Sequence, residues 1–195
     1  MQKEIEAKFL DVDFDDVRKK LEAAGAVCLT PMRLMRRVTF DSAEMKARNG
    51  WVRVRDEGDR VTVTYKQVDE LSVDGVFEVE TIVEDFDAMV DIFKQTGIAD
   101  GSFQESKRET WELDKAEIVL DEWPWLKPYI EIEGKTEEAI REVAKKLDFD
   151  WDQAKFGDVM VAYRQQYPHL KYEDTVGNLA EVRFGMPMPD LFKNL

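Results

Sequence analysis

The sequence predicts an α+β protein built on an eight-stranded antiparallel β-barrel, with amphipathic helices packed outside. Three observations carry that prediction. About eight segments read as strands, mostly linked by short turns. Seven of them place charged residues on one parity and apolar residues on the other. The helical stretches between strand groups are apolar on one side only, so they need an apolar sheet surface to cover.

Glu4 to Leu10 alternates with period two and reads as the first strand. Asp13 caps a helix that places Phe14, Val17, Leu21 and Ala24 on one face, and Gly25 ends it. Strands follow at Arg33 to Phe40, Trp51 to Arg55 and Arg60 to Lys66, the last two joined by the turn Asp56-Glu57-Gly58-Asp59. The turn Val73-Asp74-Gly75 leads into Val76 to Val83. A helix with Phe86, Met89, Val90 and Phe93 inward comes next, then strands at Lys107 to Leu113, Glu117 to Asp121 and Tyr129 to Glu133. Two further helices are expected, one with Ile140, Val143, Ala144 and Leu147 on its inner face and one from about Phe156 to Gln166. Beyond Tyr167 the pattern fades. The predicted organisation is therefore a barrel domain over 1–165 and an irregular tail over 166–195, docked on the barrel or on a partner.

Composition narrows the function. The 195 residues hold 42 acids and 28 bases, a net charge of −14, which argues against general nucleic-acid binding and a membrane-surface role. No apolar run is long enough to span a membrane, and the start MQKEIEAKF is not a signal peptide, so a cytoplasmic setting is expected. One Cys28 and one His169 exclude a disulfide framework and a structural zinc site, and Cys28 is expected to be buried.

The charged parities are the informative part. Glu4, Glu6 and Lys8 share one face, as do Arg53 with Arg55, Thr62 with Thr64 and Lys66, and Glu78 with Glu80. Arg108 with Thr110 and Glu112, Glu117 with Asp121, and Glu131 with Glu133 repeat the arrangement. If the apolar faces turn outward under the helices, these charges line a lumen. Converging carboxylates there suit Mg²⁺ or Mn²⁺, and converging Arg and Lys suit phosphates. Such a lumen fits a highly charged anion that carries its own metal, a polyphosphate or a nucleoside triphosphate.

These residues resemble a known family. Glu4-Ile5-Glu6-Ala7-Lys8 is the ExExK signature of the CYTH superfamily, the triphosphate tunnel metalloenzymes. Thr39-Phe40-Asp41, Trp51-Val52-Arg53-Val54-Arg55, Thr62 to Lys66, Phe77-Glu78-Val79-Glu80, Arg108-Glu109-Thr110-Trp111, and Leu120-Asp121 with Tyr129 to Glu133 resemble its later motifs, in order. The resemblance implies an eight-stranded tunnel for a triphosphate chain. Lys8, Arg53, Arg55, Lys66 and Arg108 would hold phosphates as the catalytic set, and Glu4, Glu6, Asp121, Glu131 and Glu133 would hold Mg²⁺ or Mn²⁺. Glu78 and Glu80 would orient the basic residues or complete the metal shell. Family members hydrolyse tripolyphosphate or thiamine triphosphate, or act as class IV adenylate cyclases on ATP; others process RNA 5′ ends. The implied function is metal-dependent hydrolysis of a terminal phosphate, with a cyclase or a non-catalytic polyphosphate sensor as alternatives and a homodimer as a further implication. Two departures stand out. A Lys usual in the family is Ser106 here, and Arg37 lies where an acidic or polar residue is common, so Arg37 would add a basic substrate contact.

Overall fold

The computed structural model describes residues 1–193, and of Ala99 and Asp100 the backbone only. In chain order the elements are β1 (Gln2–Glu4), β2 (Glu6–Leu10), α1 (Phe14–Ala23), β3 (Val27–Asp41), α2 (Ala43–Lys46), β4 (Gly50–Asp56), β5 (Val61–Val68), β6 (Val76–Val83) and α3 (Phe86–Gln95). They continue with β7 (Ala99–Leu113), β8 (Ala116–Glu122), β9 (Tyr129–Glu133), α4 (Glu137–Lys146), α5 (Met160–Gln166) and β10 (Glu181–Val182).

The sheet runs β1-β6-β5-β4-β3-β7-β8-β9-β2, antiparallel throughout. Its two ends are β1 and β2, which only Ile5 separates, so one N-terminal strand broken at Ile5 closes the sheet on itself. Counted that way, the eight strands expected from the sequence are present, and β10 is a short addition paired parallel to β7.

The apolar parities face outward, as the alternation predicts, and the helices cover them. Asp13 caps α1 by accepting from the backbone N–H groups of Asp15 and Asp16, and Val17 and Leu21 are buried. Thr136 caps α4, whose Ile140, Val143 and Ala144 pack with Ala7, Phe9, Ile118, Leu120, Ile130 and Ile132. A second cluster, Val38, Phe40, Val52 and Val54 under Phe86 and Val90 of α3, covers the opposite wall. Burying one such Leu or Ile contributes roughly 2–3 kcal/mol.

Two strands are longer than the sequence pattern predicts. β3 and β7 pair along most of their length. β4 joins β3 only from Arg36 onward, so residues 27–33 are an edge, and Val27, Cys28 and Leu29 are exposed there. The expectation of a buried Cys28 is therefore corrected. Where β3 and β7 meet at their other ends, Gly101 lies so close to Thr39 that an added Cβ would stand 1.3 Å from its carbonyl oxygen. Only glycine permits that approach.

The tail packs on one end of the barrel. β8 pairs with β7 only over Lys107 to Leu113, and β10 takes the vacated edge further along, Glu181 opposite Phe103 and Val182 opposite Gln104. Trp123, Tyr129, Met160, Tyr163, Leu170, Val176, Val182 and Phe192 form a third apolar cluster there. The Tyr163 hydroxyl donates to the Pro124 carbonyl at 2.7 Å. Among the described residues, no helix is long and apolar enough to cross a membrane.

Candidate active site

Period-two alternation on a closed sheet sends every second side chain inward. Strand register then sorts the interior into three levels. At one mouth stand Glu4 and Glu6, either side of the break at Ile5, with Glu133 paired opposite Glu6 and Glu117 opposite Glu133. Lys115, Glu117, Glu133, Gly134 and Lys135 line an open pocket there. The Lys66 ammonium lies 2.6 Å from Glu4 and 3.3 Å from Glu78.

Midway, the Lys8 ammonium sits between Glu6, at 2.5 Å, and Glu131, at 3.2 Å. Arg108 makes a forked pair with Asp121, at 2.7 and 2.5 Å, and reaches Glu131 at 3.0 Å. Arg53 donates to Thr64 at 3.0 Å and lies 3.4 Å from Glu80, which accepts from the Thr64 hydroxyl at 2.6 Å.

The third level is basic. Arg55 pairs with Glu57, which Arg60 also reaches at 2.9 Å, while Arg33 donates to the Glu57 carbonyl at 2.7 Å. Beside them, Arg37 donates to the Ser106 hydroxyl, and its guanidinium lies 4.5 Å from the Trp123 ring centroid. Arg37 is 6% exposed and Trp123 5%, so the tail cluster that holds Trp123 closes the Arg37 side of this end.

The electrostatics follow the levels. Burial would raise Glu131, but Lys8 and Arg108 hold it down at about 2. Burial also opposes the charge on Lys8, yet Glu131 and Glu6 outweigh it and raise its pKa. At the mouth the balance reverses. Glu133 reaches solvent, yet the surrounding protein and the charges of Glu6, Glu4 and Glu117 push its carboxyl up to about 7. Glu6 and Glu4 are raised as well, chiefly by burial, against the pull of Lys8 and Lys66. At the basic end, burial and then the charges of Arg53, Arg55 and Arg108 push Arg37 well below its ordinary value. Arg53 is lowered by burial and Arg55.

The site residues expected from the sequence share the inward parity, with Glu80 and Glu133 reaching solvent, but the five expected metal ligands divide. Glu4, Glu6 and Glu133 stand together at the mouth, where they repel one another. Asp121 and Glu131 lie deeper and are engaged by Arg108 and Lys8. Hard carboxylate oxygens crowded at the mouth suit a divalent cation chemically. Among the described residues, however, no three acidic, His or Cys side chains converge as a ready-made ligand set. The interior also gathers buried polar atoms that have no protein partner. They include Nε of Arg37, Arg53 and Arg55, Thr62 Oγ1, Ser102 Oγ and Glu4 Oε2. Such atoms need a partner that the described residues do not supply.

Two features escaped the sequence reading. Glu57 reads as a turn residue, although it lies two positions after Arg55 and so continues the inward parity of Arg53 and Arg55. The Ser106 and Arg37 departures are one feature: the short serine accepts from the long arginine across β3 and β7. Of the aromatics able to stack a ring, Trp111 is buried in the cluster under α1 and α4, and Trp123 lies beneath Arg37.

A family model for the CYTH domain matches residues 2–152. Among solved structures, a protein of Pyrococcus horikoshii aligns with a TM-score of 0.69 at 22% identity, covering 82% of this chain and 98% of its own. A protein of Vibrio parahaemolyticus described as a candidate adenylate cyclase aligns at 0.70 with 11% identity, over 83% of this chain and 97% of that one. A protein of Hippeastrum, described as a candidate adenylyl cyclase with a dominant triphosphatase activity, aligns at 0.55 with 16% identity, over 83% and 95%. At these identities the structures speak for the fold. No curated protein matches the sequence.

Proposed function

The chain belongs to the CYTH family, and on that premise we propose that it is a divalent-metal-dependent enzyme that hydrolyses the terminal phosphate of tripolyphosphate or a related triphosphate. The observation that carries this reading is the gathering of Lys8, Arg53, Arg55, Lys66 and Arg108 in one interior, although the chain has a net charge of −14. Net charge describes the surface average; the interior is locally rich in cations.

Phosphoryl transfer asks for positioning and charge stabilisation more than for covalent chemistry. Arg53, Arg55 and Arg108 would hold non-bridging oxygens by their forks, and Lys8 and Lys66 would act as point charges. Glu78 and Glu80 lie against Lys66 and Arg53 and would orient them. Mg²⁺ or Mn²⁺ on Glu4, Glu6 and Glu133 would supply Lewis acidity and neutralise phosphate charge when bound, with Asp121 and Glu131 as deeper donors if Arg108 and Lys8 turn to the substrate. The open pocket lies at the mouth, beside Glu117 and Glu133. Water would attack the terminal phosphorus at the mouth, and the bond to the bridging oxygen would break. The leaving pyrophosphate would carry its new charge toward Arg108, Arg55 and Arg53.

The cyclase alternative uses the same seats, with a ribose hydroxyl attacking the α-phosphate of ATP. Trp111 and Trp123 are engaged elsewhere, whereas half-buried Trp51, on the inward parity of Arg53 and opposite Lys66, is the aromatic on which a base would stack in that alternative. A sensor would bind without turnover. Incubation with Mg²⁺ or Mn²⁺ and tripolyphosphate, ATP or thiamine triphosphate separates the three. Orthophosphate from tripolyphosphate supports the proposal, cyclic AMP with pyrophosphate would replace it by the cyclase, and binding without turnover would replace it by the sensor.

A further inference from the structure

Arg37 is the unusual cation of the interior. Lys8, Arg53, Arg55, Lys66 and Arg108 each have a carboxylate within 4.0 Å. Arg37 has none among the described residues, only a serine hydroxyl, and its Nε has no partner. It is 6% exposed and pinned over Trp123; the charges of Arg53, Arg55 and Arg108 oppose its own, and Asp121, beyond 4.0 Å, favours it only in part. A buried, uncompensated guanidinium is costly to fold around. The surrounding structure nonetheless fixes it firmly. Ser106 makes room for it, Trp123 supports its face, and β10 completes the wall beside Gln104.

We propose that Arg37 is the seat of the substrate's terminal phosphate at the closed end of the lumen, so that the protein selects linear phosphate chains with an unsubstituted end. The proposal rests on the reading of the lumen as a polyphosphate site and adds the direction of entry and a rule of selection. The chain enters by the acidic mouth, end first, and stops at Arg37. A terminal phosphate carries more negative charge than an internal one and presents more oxygens to a planar fork. Cyclic chains, and chains capped at both ends, present no such group. With tripolyphosphate seated this way, the far end is held as the leaving pyrophosphate while the near end lies at the mouth.

The test uses the full chain and titrates inorganic tripolyphosphate and cyclic trimetaphosphate calorimetrically, in Mg²⁺ and in EDTA. Both anions contain three phosphorus atoms, but only the first has ends. The expected result is at least roughly tenfold tighter binding of tripolyphosphate by the unmodified protein. Arg37→Met should weaken tripolyphosphate roughly 10- to 100-fold and leave trimetaphosphate unchanged. The same variant, free of ligand, should melt at the same or a higher temperature, because the uncompensated charge is gone. Equal binding of the two anions by the unmodified protein would overturn the proposal without any variant. So would a folded Arg37→Met variant that keeps the preference, and either result would leave the polyphosphate reading standing. Failure of the unmodified protein to bind tripolyphosphate in either buffer would overturn both.

Discussion

The two ends of the barrel solve opposite electrostatic problems. At the open mouth Glu4, Glu6 and Glu133 outnumber their cations, and burial together with mutual repulsion pushes their carboxyls up, Glu133 to about 7. At the closed end Arg37 and Arg55 stand together with Glu57 as the one balancing carboxylate, and burial and neighbouring arginines disfavour their charged state. Between them the charges are matched, and Glu131 is held at about 2. The barrel is thus a graded field, acid to base, stabilised in its middle and strained at both ends.

Variants can break that gradient. Arg108→Met strips the partner from Asp121, which is 1% exposed, and should cost about 3–5 kcal/mol in urea unfolding together with loss of turnover. A milder loss would mean that Asp121 is protonated or hydrated in the variant, and the matched middle would not be what holds the barrel. Phe192→Ala loosens the closed end alone and should cost about 3 kcal/mol, with the mouth unaffected. Its counterpart in the comparison is a pair of variants. Glu131→Gln removes one partner of Lys8 and Arg108 and should cost about 2 kcal/mol, whereas Glu133→Gln removes a repelled charge and should cost nothing or stabilise. Equal losses from the two would erase the difference between mouth and middle.

A pH series supplies the smallest effect and an external control. Glu109 lies outside the lumen, against α1. Burial raises its carboxyl, but the Arg18 and Trp111 hydrogen bonds outweigh burial and lower its pKa. A carboxyl depressed in the folded state stabilises fully above its unfolded pKa and loses that contribution as pH falls through its folded value. Thermal midpoints should therefore drop in acid below the ordinary Glu range, and Glu109→Gln should flatten that part of the profile by about 1 kcal/mol or less.

Much of this was legible because a strand reports its two faces directly. Glu4, Glu6 and Lys8, or Arg53 and Arg55, need only alternation to be placed together, and a closed sheet turns shared parity into shared space. What alternation does not carry is pairing. It sets Asp121 and Glu131 beside Glu4 as equivalent acids, whereas register delivers the first two to Arg108 and Lys8. The ends were harder to read for local reasons. Glu57 lies one residue past the end of β4, so its place on the inward parity of Arg53 and Arg55 is masked by the turn composition around it. The outer part of β7, with Gly101 and Ser102, lacks an apolar alternation because its neighbours are β3 and a tail strand of two residues. The tail itself packs through scattered aromatics, Tyr163 and Phe192 among them, that share no repeat.

The break at Ile5 has a consequence for how the protein is made. β1 pairs with β6 and β2 pairs with β9, so residues 2–10 must wait for strands around residues 76–83 and 129–133 before they find partners. Such distant pairings are late and slow steps in folding. Glu4, Glu6 and Lys8 ride on that strand, so the locking of the barrel and the assembly of its charged interior are one event. A chain emerging from the ribosome exposes these three residues long before β9 is out, and until then it cannot close its charged interior.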